Sequence, residues 1–75
     1  MRSSVGSWVA WTQSSLQADA TARPLKEKGS LRHFRSEAAA LAALADANPK
    51  YVMRLTVENQ QKVEEALLSG RVPPD

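Results

Sequence analysis

The residues best suited to recognition chemistry lie in one short run, Arg32-His33-Phe34-Arg35. Guanidinium groups bind carboxylates and phosphates through forked hydrogen bonds. An aromatic ring placed among them can stack on a nucleobase. The run closes a wider basic segment: Arg23, Lys26, Lys28, Arg32 and Arg35 stand against Glu27 alone. Such a segment creates a local positive potential that attracts a partner rich in phosphate or carboxylate. It also suits a solvated loop that only promotes solubility. On a strand, Arg32 and Phe34 would share one face and His33 and Arg35 the other. Phe34, the only phenylalanine, reads as core more readily than as a stacking platform.

Trp8 and Trp11 are the second feature. Three positions apart on a strand, they face opposite sides, so a one-sided core can take only one. The expectation is one tryptophan under the helices with Leu41, Leu44, Met53 and Leu55. The other is left at an edge or on the open face. An exposed tryptophan buries much area at low entropic cost and so anchors interfaces. The candidate partner-binding set is therefore Trp8, Trp11, Arg23, Lys26, Lys28, Arg32, Arg35 and Arg54.

Catalytic sets are missing from the sequence. His33 is the only histidine and cysteine is absent. That removes thiol catalysis, zinc–thiolate sites and two-histidine metal sites within one chain. None of Gly6, Gly29 and Gly70 lies in a phosphate-cradling motif. Glu64 and Glu65 are adjacent, point in different directions around a helix and read as a solvated face. The expectation is a non-enzymatic protein with no catalytic residues, no metal and no cofactor.

Charge is uneven along the chain. Residues 1–36 hold Arg2, Arg23, Lys26, Lys28, Arg32 and Arg35 against Asp19 and Glu27, a balance of +4 within an overall +2. Residues 37–75 are −2. A chain of 75 residues fits one small domain, 1–75, burying only about 60% of the surface exposed on unfolding. No run approaches the roughly 20 apolar residues of a membrane span. Gly6 and Ser7 interrupt the only N-terminal stretch resembling a signal peptide. A cytoplasmic protein without membrane contact is the expectation.

The elements that must position these residues follow from local pattern. Ser36 is an N-cap, Glu37 complements the helix dipole, and the alanine-rich run to Ala47 predicts a helix over 37–47. Ala38, Leu41, Leu44 and Ala45 are its expected apolar face. Asn48-Pro49 ends it. Tyr51, Met53, Leu55 and Val57 alternate with Val52, Arg54 and Thr56, which predicts a strand over 51–57. A second helix spans about 58–68, closed by Gly70 at C′ and by Pro73-Pro74. Residues 71–75 form a flexible tail. Residues 7–13 and 31–35 read as strands. Between them, 14–30 is a long basic exposed loop, whose centre admits strand, helical turn or loop. The architecture is α+β, a small three-stranded sheet covered on one face by helices, in the order β-(long loop)-β-α-β-α. The 37–47 helix should join parallel strands by a right-handed crossover.

Residues 7–12, 31–35, 37–44 and 51–56, taken with the basic region beside the sheet, resemble the small phage-encoded regulators of bacterial host RNA polymerase. The resemblance implies binding to a larger bacterial machine through the polymerase β′ subunit, in the host cytoplasm, with nucleic acid near the site. It implies interference with promoter-specific initiation and, in some members, antitermination. The second helix and the long loop depart from the shorter inhibitors. A monomer is expected, because the alanine-rich helix packs best on its own sheet. The alternative function is a small nucleic-acid-binding domain using the basic loop and the sheet face.

Overall fold

The computed structural model describes residues 5–13, 21–47 and 49–73. Its elements are β1 (Trp8–Gln13), β2 (Ala22–Pro24), β3 (Lys26–Glu27), β4 (Ser30–Leu31), α1 (Glu37–Ala43), β5 (Lys50–Arg54) and α2 (Gln60–Leu68). β1 is the centre of an antiparallel sheet ordered β2-β1-β5, and β3 and β4 pair as a hairpin. The α+β class expected from the sequence is the class observed.

β1 takes the centre because both of its parities are apolar. Val9 and Trp11 enter one core cluster with Ala22, Leu31, Leu55, Val63 and Leu67. Ala10 enters a second with Phe34, Ala40 and Leu44, against which Trp8, Leu25 and Val52 pack. Val63 and Leu67 belong to α2, and Ala40 and Leu44 to the α1 side. The two helices therefore lie on opposite faces of the sheet rather than sharing one. The correction follows from β1 itself: a strand apolar on both faces needs a cover on each.

The crossover is also rearranged. Phe34 pairs with Trp8 in an isolated antiparallel bridge, and β5 pairs antiparallel with β1 on its other side. The segment ending at Phe34 and β5 thus run the same way, as the helix between them suggested. They are not neighbours, because β1 lies between them.

The expected 14–30 loop is largely ordered secondary structure from Ala22 onward, while 14–20 lie outside the described residues. Lys26 pairs with Leu31 and Glu27 with Ser30. The two residues between, Lys28 and Gly29, have φ of 53° and 83°. Two positive φ values match the turn whose twist suits a tight hairpin. Its usual Asn-Gly or Asp-Gly signal is replaced by Lys-Gly, which hid it.

α1 is shorter than expected. It begins as predicted, with Ser36 Oγ accepting from the Ala39 N–H at 3.2 Å. After Ala43 it tightens into i→i−3 bonds, Leu44 to Leu41 and Ala45 to Ala42. Its buried residue is Ala40, joined by Leu44 at the C-cap, and Leu41 is 37% exposed. A helix made mostly of alanine has almost no periodicity with which to mark its inner face. Asn48 lies outside the described residues. β5 stops at Arg54, and Val57 is 74% exposed in the turn before α2.

That turn is a reciprocal cap. Asn59 Oδ1 accepts from the Thr56 N–H at 2.7 Å, and Thr56 Oγ1 accepts from the Asn59 N–H at 3.2 Å. Two donors at the start of the helix are thereby satisfied. α2 ends at Gly70 as expected. Gly70 has φ +80°. The Arg71 N–H donates to Ala66 C=O at 2.8 Å and the Gly70 N–H to Leu67 C=O at 3.1 Å. Those are the two bonds of a Schellman ending. Of the expected 71–75 tail, Arg71 and Val72 are exposed and Pro73 is buried; residues 74–75 lie outside the described residues.

Candidate functional site

Antiparallel register places directly opposed residues on one face. On the α1 side of the sheet, Arg23, Thr12 and Lys50 form one row. Phe34, Trp8 and Arg54 form another. Between them lie Ala10 and Val52, beneath α1. Arg32 reaches the second row from the hairpin, its guanidinium 4.9 Å from the Phe34 ring centroid. The α1 face is thus apolar at its centre and cationic at its corners, with Arg23 and Lys50 at one end and Arg32 and Arg54 at the other. All four cations are exposed.

The Phe34–Trp8–Arg54 row is the most structured part. Trp8 donates to Phe34 C=O and accepts from Phe34 N–H, each at 2.9 Å. Its ring is half-buried against Phe34 and the α1 residues. Phe34 is itself buried, at 7% exposure, so the row presents one ring, that of Trp8, bordered by Arg54 beside it and by Arg32 over Phe34. Such a surface matches carboxylate-bearing apolar partners, and guanidinium on an aromatic face adds a modest electrostatic attraction. Arg35 follows immediately and is exposed.

The two tryptophans divide as alternation requires. Trp11 is 5% exposed and stacks on Tyr51 with centroids 5.5 Å apart. It is a core residue with no surface for a partner, which removes it from the binding set. Its neighbours are Leu55 and Met53 with α2, not Leu41 and Leu44. Among the described residues its indole N–H has no hydrogen-bond partner. Lys26 and Lys28 are exposed on the hairpin, apart from the Trp8 row. Lys26 shares its face with Leu31, the α2 side. The structure thus brings Trp8, Arg32 and Arg54 together and leaves Arg23, Lys26 and Lys28 on the flank. Lys50 joins the set. Its signal was present: it has the parity of Val52 and Arg54.

His33 has more company than the sequence suggested. Its Nδ1 lies 2.9 Å from Ser7 Oγ, and its Nε2 lies 3.6 Å from Glu64 Oε1. Serine, histidine and glutamate in a chain invite comparison with a nucleophilic triad. The two neighbouring amides are engaged: Gly6 N–H donates to Leu55 C=O and Trp8 N–H to Phe34 C=O. The chain of contacts ties Ser7 just before β1, His33 beyond β4 and Glu64 of α2 together at a solvent-facing seam. Exposed pairs of this kind contribute about 0–1 kcal/mol.

Among the described residues no group of three or more His, Asp or Glu side chains could hold a metal ion. An open hollow lined by Lys62, Glu65, Ala66, Arg71 and Val72 lies on the α2 side. It mixes both signs of charge and contains none of the candidate site residues. Among the described residues no helix is long and apolar enough to cross a membrane. Comparison with protein-family models, with curated proteins and with solved structures finds no match for this chain.

Proposed function

We propose that this chain is a small non-enzymatic protein-binding regulator that docks through the α1 face of its sheet. The observation that carries the reading is the Phe34–Trp8–Arg54 row with Arg32 over Phe34. Tryptophan and arginine are the residues most enriched where interfaces concentrate their binding energy. Corner cations steer an acidic surface toward the row and set the approach rate. The resemblance to phage regulators makes bacterial RNA polymerase, through its β′ subunit, the partner of this proposal. Inhibition or modification of promoter-specific transcription is its consequence.

The test is promoter-dependent transcription in vitro with purified polymerase, paired with co-purification. The intact chain should reduce or alter transcript output. The Arg32→Glu/Arg54→Glu double variant should lose most of that effect while keeping its fold. An intact chain that neither associates with polymerase nor changes its transcripts ends the polymerase reading.

One observation favours a second reading, a nucleic-acid-binding domain. Cations interleaved with a half-exposed ring also suit single-stranded nucleic acid. Phosphate contacts would give an affinity that falls with salt at a logarithmic slope of about 0.7 per neutralised phosphate on a single strand. Absence of any shift of labelled single-stranded DNA or RNA at low salt disposes of it.

A further inference from the structure

The two edges of the sheet are not alike. At the β2 edge, Pro24 has no N–H to offer, and the outward N–H of Ala22 donates to Gly70 C=O at 2.9 Å. That edge is closed by a proline and by the segment that ends α2.

Among the described residues the β5 edge is open. Trp8 uses its N–H and C=O on Phe34, and Ala10 C=O accepts from the Leu25 N–H at 3.0 Å. Both residues therefore turn their backbone groups away from β5. Arg54 and Val52 stand opposite them, in the widely spaced positions of the ladder, so their own N–H and C=O point outward. Lys50, opposite Thr12, follows the same alternation. Asn59 Nδ2 donates to Arg54 C=O at 3.3 Å. Among the described residues, the N–H groups of Val52 and Arg54 and the C=O of Val52 have no partner. Along this edge the side chains on the α1 side read Lys50, Val52, Arg54. Both cations are exposed, and neither has an ion-pair partner among the described residues.

We propose that the free edge of β5 takes up an extended segment of a protein partner as a fourth, antiparallel strand. That segment carries carboxylates opposite Lys50 and Arg54 and an apolar residue opposite Val52. Main-chain bonds supply attachment and alternate side chains supply selection, the usual division in strand addition. The proposal rests on the protein-binding reading and gives that reading a mode. Charge selects the occupant. A second copy adding its own β5 in antiparallel register about Val52 would set Lys50 against Arg54 twice, and like charges directly opposite are destabilising. A segment with the pattern acidic-x-apolar-x-acidic reverses both contacts.

The probe is the end-capped peptide Ser-Glu-Thr-Val-Thr-Glu-Ser, added to the intact chain at millimolar concentration. The readout is amide hydrogen exchange at Val52 and Arg54, followed by NMR. Saturating peptide should slow both amides by about tenfold or more, as expected when a free N–H enters a ladder. Methylating the peptide's valine nitrogen removes the donor to Val52 C=O and should abolish the effect. The peptide with lysine in place of both glutamates should give none. The Lys50→Glu/Arg54→Glu variant should invert that preference. Unchanged exchange at Val52 and Arg54 overturns the proposal, as does protection indifferent to the methyl group or to the charge of the peptide. Shifts confined to the Trp8 indole and Arg32 overturn the edge but leave the protein-binding reading standing. A protected edge in a chain that ignores polymerase does the reverse to the named partner.

Discussion

Trp8 and Phe34 exchange both of their backbone hydrogen bonds, at 2.9 Å each way, although no regular strand contains Phe34. This bridge, together with the Leu25 N–H bond to Ala10 C=O, ties the hairpin to the central strand and sets Phe34 beside Trp8 on the α1 face. Arg32 can then cover the phenyl ring, and Arg54 takes the other flank of Trp8. The order of the candidate docking row is set by this pair of residues within the sheet.

Trp8 and Trp11 should separate sharply on substitution. Trp11→Ala leaves a large hole among Val9, Leu55 and Leu67 and should cost about 3–5 kcal/mol. Trp11→Phe keeps a ring for Tyr51 and removes a buried N–H that lacks a partner, so it should cost no more than about 1 kcal/mol. Trp8→Ala should cost less than Trp11→Ala but weaken partner binding at least tenfold, consistent with an interface anchor of about 2 kcal/mol. Urea unfolding and binding titrations on the three variants check this; a Trp11→Phe variant as unstable as Trp11→Ala refutes it.

Lys28 occupies the left-handed region, where a side chain clashes with its own backbone. Lys28→Asn should raise stability by about 0.5–1 kcal/mol, because asparagine tolerates that region and suits this turn. The midpoint of urea unfolding should rise without a change of slope. A fall in stability would mean that the Lys28 side chain makes a compensating contact.

Asn59 joins three groups: the Thr56 N–H, the Thr56 hydroxyl and the Arg54 carbonyl. Asn59→Ala should cost about 1–2 kcal/mol, at the upper end for a cap because the side chain gives up two bonds, Oδ1 to the Thr56 N–H and Nδ2 to the Arg54 C=O, while the Asn59 N–H keeps its bond to Thr56 Oγ1. Asn59→Asp retains an acceptor for the Thr56 N–H and should recover about half. Thermal unfolding of both variants decides between a cap and a passive turn residue.

Gly70 stops α2 and also receives the Ala22 N–H. Nothing lies within 4 Å of the position a β-carbon would take there, so Gly70→Ala meets only backbone strain, worth about 1–2 kcal/mol. If the strain is relieved by unwinding the helix end, the β2 edge is exposed. The variant should then exchange its Ala22 amide faster than the intact chain does. An unchanged Ala22 amide would show that the closure of this edge is independent of the helix ending.

Much of the fold was legible in the residues. Ser36, Gly70 and the alternation of 51–54 announce a cap, a stop and a strand by chemistry that acts within a few positions. The opposite facing of the two tryptophans followed from strand period alone. What stayed hidden was relational. Alanine at most positions of 37–47 carried no record of which face meets the sheet, so Leu41 was placed inside. Lys28-Gly29 made a tight turn without the residues that usually advertise one. The placement of the helices on two faces needed knowledge that β1, and not 31–35, would be central. The site was half legible: Arg32, Arg54 and Trp8 were named, but their meeting depends on long-range register that no local pattern encodes. The Ser7–His33–Glu64 seam is invisible for the same reason.

The central position of β1 sets an order of events as well as an architecture. Among the described residues β1 precedes every other element, pairs with β5 and is covered on one side by α2. Its most decisive contacts are therefore its most distant in sequence. Loop closure must precede the contacts that reward it, so this small domain should fold more slowly than a helical chain of its size. During synthesis β1 emerges before its partners, and its two apolar faces stay bare until β5 and the helices follow it out.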